Sequence, residues 1–280
     1  MSSHSLPSRP GGAHAATPRR GFVANLGDWA HRRSRGLVTF LDVRIESLIT
    51  GWIAVICLLG LAKLSTSPLE FNGPVAGLVM MLPYLLVAFA PIAGYRVAAG
   101  SFPRGLMSAQ PALRLCRYGA WRKLDPLTAR QNAAFGPTGF MASLLAGILL
   151  NVPFRTIEFI LAIPAIAPSA PDWSRSLMIA MTADVVVMNF FYMVCFVMAL
   201  RSVPLFPRML LFAWTADVAM QFAIAEQVAF MRETPPQVAE ALFTLLRGNL
   251  DKVMISAFVW LPYLILSERV NVTFRQRVRA

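Results

Sequence analysis

The chain has 280 residues, 56% of them hydrophobic and 14% charged, with a formal net charge of +12. Soluble domains carry charge on about a quarter of their residues, so this composition excludes an ordinary water-soluble fold. Nor does the basic excess indicate nucleic acid, because the Lys and Arg lie between apolar runs instead of gathering on one soluble face.

Residues 1–46 form the first unit. Up to about residue 20 they mix Ser, Pro, Gly, Ala and His with Arg9, Arg19 and Arg20, too polar and too rich in breakers to offset the entropy of ordering, so a disordered cytoplasmic tail is expected. Phe22, Leu26 and Trp29 then recur at helical spacing beside Arg32, Arg33 and Arg35. This fits a short amphipathic segment on an anionic leaflet, or an ordinary juxtamembrane flank. No short hydrophobic region with a small-residue cleavage site precedes the first apolar run, so no cleavable signal peptide is expected.

Residues 47–268 read as an all-α polytopic transmembrane bundle. Its first apolar run, 48–64, ends near Lys63, which can snorkel outward. The second, 75–97, contains Pro83 and Pro91, tolerable where neighbouring helices satisfy the freed backbone. Residues 100–135 form a basic loop with Arg104, Arg114, Arg117, Arg122, Lys123 and Arg130 against Asp125. Asp125-Pro126 predicts a short surface helix, since Asp caps and Pro suits the first helical position.

The third run, 136–168, carries Arg155 and Glu158 within about thirty mostly apolar residues, with a kink expected near Leu149 because Pro153 removes a helical hydrogen bond. The fourth, 177–200, carries Asp184 and Asn189; a basic turn, 201–208, leads to the fifth, 209–230, with Asp217, Gln221 and Glu226. Thr234-Pro235-Pro236 predicts an amphipathic surface helix through Val238, Leu242 and Leu245, ending at Gly248. A sixth run, 253–266, follows, and 269–280 reads as a basic cytoplasmic tail. Six spans place twenty of the 26 Lys and Arg on one side, the asymmetry that orients membrane proteins with both termini inside. Merging or demoting the weak first and sixth runs gives a four-span alternative.

Ionisable residues inside a span each cost about 3 kcal/mol unless partnered, so Arg155, Glu158, Asp184, Asp217, Gln221 and Glu226 are the candidate intramembrane polar residues. Helical rise suggests an outer-half cluster of Arg155, Asp184 and Glu226 with Gln221 below, and leaves Asp184 and Asp217 about 8 Å apart in depth. The competing arrangement pairs Arg155 with Glu158, one turn along, at the headgroup boundary. The shared word Thr182-Ala183-Asp184-Val185 and Thr215-Ala216-Asp217-Val218 can mark an inverted repeat of the kind transporters use, or chance. An aspartyl protease pair needs two carboxylates in close contact, which that depth difference disfavours.

Catalytic signatures are missing. The sequence has no Walker loop, G-x-S-x-G or H-E-x-x-H, its three histidines all lie in the N-terminal tail, and Cys57, Cys116 and Cys195 are far apart without a C-x-x-C. Neither enzyme chemistry, cofactor nor metal is expected. Arg114, Arg117, Arg122, Lys123 and Arg269 are the candidate contacts to anionic headgroups. The expected partners are the bilayer and other membrane proteins. The alternative function is a small-solute or proton-coupled transporter using the intramembrane acids.

The last span ends with Trp260, Tyr263, Ser267, Arg269, Val270, Thr273 and Phe274. Over these roughly fifteen residues the chain resembles the ending of a family of bacterial polytopic membrane proteins of unknown function, with its words W-x-x-Y, S-x-R-V and T-F. The resemblance implies a multi-pass protein of the bacterial cytoplasmic membrane and brings no reaction. Simple members of that family look like four-helix proteins, from which this longer chain departs.

Overall fold

The computed structural model describes residues 22–66, 74–105, 109–111, 119–167, 169–231 and 234–280. The expected disordered tail, together with Arg114 and Arg117, lies outside them. The long helices are α1 (Phe22–Ser65), α2 (Pro74–Ser101), α4 (Phe140–Ala162), α5 (Asp172–Leu200), α6 (Phe206–Phe230) and α7 (Pro236–Leu266). Each contains a stretch long and apolar enough to cross a membrane. The chain is therefore an all-α polytopic bundle of six spans, and the four-span alternative is set aside. Short elements complete it: β1 (Trp121–Lys123), α3 (Pro126–Gln131), α8 (Glu268–Arg275) and β2 (Arg277–Arg279).

Three boundaries differ from expectation. The flank from Phe22 and the first apolar run form one helix, α1, because nothing between them breaks the backbone. Likewise, the expected surface helix and the short sixth run are one helix, α7. Gly248 does not stop it, since glycine inside a helix costs only about 1 kcal/mol, while Leu242 and Leu246 on one side of it and Val253 on the other are all buried against neighbours. The face predicted through Leu242 is real, but it covers the bundle and not the membrane surface. In α4 the helix runs unbroken through Pro153 and gives way to extended backbone at Ile163.

Helix α5 lies at the centre, packed against α2, α4 and α6, with α1 on α2 and α4, and α7 on α6. Gly94 permits the α2–α5 contact, because a Cβ there would lie 2.5 Å from the Phe190 carbonyl oxygen. Small residues allow such backbone approach where dispersion, and not expulsion of water, holds helices together.

The polar segments close one end of the bundle as a folded cap. Asp125 accepts a hydrogen bond from the Leu127 amide at 3.0 Å and starts α3, as its sequence predicts. β1 and β2 pair antiparallel, Trp121 with Arg279, and the Arg277 guanidinium lies over the Trp121 ring. Arg201 donates to the carbonyls of Ala99 and Phe102 and ties the α5–α6 turn to the end of α2. The C-terminal segment is thus built into the fold rather than a free basic tail: Val270, Val272 and Phe274 of α8 are buried.

Substituting Gly94 by Ala is expected to destabilise the bundle by about 1–3 kcal/mol through overpacking. The equivalent change at Gly51, where a Cβ would meet nothing within 4 Å, is expected to be neutral or stabilising. Thermal unfolding in mild detergent reads the difference.

Candidate functional site

Most buried apolar residues of the six long helices sort into two cores, with Leu64, Met80 and Ala165 forming a small third cluster. One, toward the cap, includes Leu145, Ile148, Met188, Phe196, Leu210 and Trp214. The other, toward the far end, includes Tyr84, Phe159, Met181, Val185, Ile224 and Leu246. Between them, four helices each contribute polar side chains at the same level: Arg155 and Thr156 from α4, Asp184 and Asn189 from α5, Asp217 and Gln221 from α6, and Asn249 from α7, all buried.

Arg155 is the hub of this layer. Its Nη1 donates to Asp217 Oδ2 at 2.8 Å, and its Nη2 donates to both Asp184 oxygens at 2.8 and 2.7 Å and to Asp217 Oδ1 at 2.9 Å. The planar guanidinium thus grips Asp217 in a two-pronged pair, the geometry in which Arg binds carboxylates most strongly. Tyr192 donates its hydroxyl to Asp217 Oδ2 at 2.8 Å. Gln221 donates to Asp184 at 3.1 Å and to Asp217 at 3.3 Å. Beside them, Asn189 donates to Thr156 Oγ1 at 2.9 Å.

A hydrogen-bonded path leads outward from this hub. Asn249 donates to Gln221 Oε1 at 3.5 Å, Lys252 donates to Asn249 Oδ1 at 3.4 Å, and Lys252 forms an ion pair with Glu158. The path therefore links α5, α6, α7 and α4 and ends at a partly exposed pair.

The structure corrects several expectations. Arg155 does not pair with Glu158, which turns to Lys252 instead. Glu226 is exposed and outside the cluster, and Asp217 takes its expected place. The reason is helical phase: Asp217 and Gln221 are four residues apart and share the buried face of Leu210, Ala213, Trp214, Ile224 and Val228. Glu226, nine residues from Asp217, falls on the opposite side at about 100° per residue. Helix α6 also begins at Phe206, ahead of the expected run 209–230, which shifts every depth along it. The two aspartate carboxylates also meet despite the expected separation in depth, because one guanidinium nitrogen binds both. The shared four-residue word extends to the aspartates but not to the threonines, since Thr182 is buried and Thr215 exposed.

Tyr192, Asn249 and Lys252 were not singled out from the sequence. Tyr192 lies eight residues after Asp184, close to the same helical face, and Asn249 and Lys252 precede the expected sixth run, 253–266, although both lie well inside α7. Arg122 and Lys123 are exposed on β1. Arg269 donates to Thr138 Oγ1 at 2.8 Å, so at least one of its donors serves the cap and not a headgroup. Among the described residues no cluster of His, Cys, Asp and Glu could hold a metal ion.

The residues of the C-terminal resemblance each help join the last helices to the rest. Trp260 and Tyr263 pack on Phe140 with ring centroids 4.9 and 5.0 Å away. The Ser267 carbonyl accepts from Asn271, Thr273 Oγ1 accepts from the Gly136 amide at 3.0 Å, and Phe274 stacks near Phe206 at 5.0 Å. No family model, curated protein or solved structure matches this chain, and the site is read from its own chemistry.

Breaking a buried ion pair by removing one partner costs about 3–5 kcal/mol, because the other charge is left uncompensated. Arg155→Gln is therefore expected to lower the unfolding temperature in detergent far more than Glu226→Gln. Adding Asp184→Asn and Asp217→Asn to Arg155→Gln is expected to restore part of the loss, since the two carboxylates no longer repel each other unpaired.

Proposed function

We propose that this chain is a non-catalytic, structural or accessory multi-pass protein of the bacterial cytoplasmic membrane, assembling there with other membrane proteins. The observation that carries this reading is the closure of the polar layer: both terminal nitrogens of Arg155 are taken up by Asp184 and Asp217, and Tyr192 and Gln221 fill further acceptor positions on the two carboxylates. Such a hub locks three helices, α4, α5 and α6, in register rather than presenting reactive groups to a substrate.

The orientation follows from charge. The basic segments converge on the cap, where Arg201, Arg269 and Arg277 all make contacts within the fold. That end is taken as cytoplasmic by the bias of Lys and Arg toward the inner side, which puts both termini inside. The C-terminal resemblance to bacterial polytopic membrane proteins supports the same membrane.

A second reading, a proton-coupled or small-solute transporter, is favoured by one specific feature. The path from the Glu158–Lys252 pair through Asn249 and Gln221 to Asp184 and Asp217 is a continuous chain of polar groups from a partly exposed site to buried carboxylates. Such chains mark ion pathways in membrane proteins.

Gln221→Cys, introduced after Cys57, Cys116 and Cys195 are changed to Ala, separates the two. A membrane-impermeant thiol reagent is expected to leave it unlabelled from either side of sealed vesicles. Labelling from one side would overturn the closed hub in favour of an alternating cavity. For topology, a reporter fused at residue 170 is expected to be active only outside the cytoplasm; cytoplasmic activity there would reverse the assignment.

A further inference from the structure

Helices α4 and α7 meet through side chains at two levels: the Phe140, Trp260 and Tyr263 rings near the cap, and the Glu158–Lys252 pair toward the other end. Between the two levels lies a cleft of about 520 Å³, backed by Tyr192 and Trp214. Along α4 it extends from Leu144 to Glu158, about 21 Å at the helical rise. Gly147 opens it, because a Cβ there would meet nothing within 4 Å.

The mouth of the cleft faces sideways. Phe154 on α4, which lines it, is 64% exposed, as a side chain against hydrocarbon would be in a spanning bundle. Both ends are bridged by side chains, so a ligand arrives from the plane of the bilayer. The wall is graded: Leu144, Gly147 and Ile148 line it near the cap, whereas Arg155, Asn249 and Lys252 line it near the other end. A molecule with an apolar chain and a polar head matches that gradient.

The head is specified by what the hub leaves open. Arg155 is 7% exposed, yet its Nε–H has no hydrogen-bond partner among the described residues. This buried donor on the cleft wall calls for an acceptor. Around it Arg155 and Lys252 face Glu158, Asp184 and Asp217, an excess of one negative charge when all are ionised. A free anion would meet that excess, whereas a neutral ester carbonyl would not. One turn further along, Lys252 and Glu158, with side chains 54% and 39% exposed, offer paired positive and negative charge to a head that carries both.

We propose that the α4/α7 cleft binds one zwitterionic glycerophospholipid from the surrounding bilayer, its ester carbonyl accepting from Arg155 Nε and its acyl chain lying along Leu144, Gly147 and Ile148. The site rests on the membrane-spanning fold and is independent of whether the protein is an accessory factor or a transporter. The phosphate lies beside Lys252 and the head-group amine beside Glu158.

The test uses the full chain in vesicles of phosphatidylethanolamine and phosphatidylglycerol, doped with phosphatidylethanolamine carrying a photoactivatable acyl chain. Crosslinks mapped by mass spectrometry are expected to concentrate several-fold in residues 144–158 and 249–260 over the lipid-facing parts of α1 and α6. Gly147→Trp, which fills the cleft from an open position, is expected to abolish that enrichment while the unfolding temperature stays near wild type; Gly147→Leu serves if the larger side chain prevents folding. Lys252→Gln is expected to reduce it several-fold. Crosslinks spread evenly over all lipid-facing helices, or enrichment that persists in the folded Gly147 variant, would overturn the site. Stronger labelling by the corresponding phosphatidylglycerol probe would overturn the zwitterionic head.

Discussion

A cation buried between apolar helices must be answered by anions within reach, and this requirement organises the whole bundle. Arg155 is 7% exposed and meets two carboxylates from two other helices. In hydrocarbon the alternative to these contacts is an unpaired charge, so the positions of α4, α5 and α6 relative to one another are tied to a single guanidinium. Apolar side chains supply no comparable restriction, because lipid tails satisfy them as well as a neighbouring helix does. A one-turn slip of α6 would move Asp217 about 5.4 Å along the axis and remove it from the fork of Arg155, while leaving its leucines and phenylalanines equally content. The polar layer thus specifies register, and the apolar cores on either side supply packing.

The cap solves a different problem at the end of the bundle. Six helices joined by loops leave carbonyls and amides at the membrane boundary, and these need partners. Arg201 and Arg275 donate to backbone carbonyls in the last turns of α2 and α7, of Ala99 and of Leu264. β1 and β2 satisfy each other, and the Thr138 and Thr273 hydroxyls tie the segment before α4 to α8. Basic residues are suited to this place, since they complete the C-terminal ends of helices. The basic end is therefore a folded element of the protein.

The six helices were legible because span length and hydrophobicity are local properties. Their limits were less so. The run 253–266 looked too short by itself, because Gly248, Asn249, Asp251 and Lys252 interrupt the apolar count; in the structure Asn249 and Lys252 belong to the polar layer and the ion pair, and the helix passes through them. The residues of the hub were also legible as a set. Their pairing was not, because depth along an ideal rod carries an error of several residues at each end, whereas helical phase carries almost none over one or two turns. Asp217 and Gln221 at spacing four, on the face of Trp214 and Ile224, held the information. The lateral cleft had no sequence signature, since it arises from two helices that touch at their ends and diverge between.

One guanidinium against two carboxylates leaves one negative charge uncancelled when all are ionised, and a bundle built only for stability would do better with one Asp or with a second cation. Gln221 and Tyr192 lessen the imbalance by donating hydrogen bonds to the carboxylates, but dipoles do not remove a charge. The side chains that can respond to it are Lys252, reached through Asn249 and Gln221, and whatever occupies the cleft between α4 and α7 against the open Nε–H of Arg155. Both lie on the same flank of the bundle. The surplus carboxylate, the polar path and the unfilled donor therefore point to one face of the protein, the α4/α7 flank, as the place where the interior of this bundle communicates with the membrane around it.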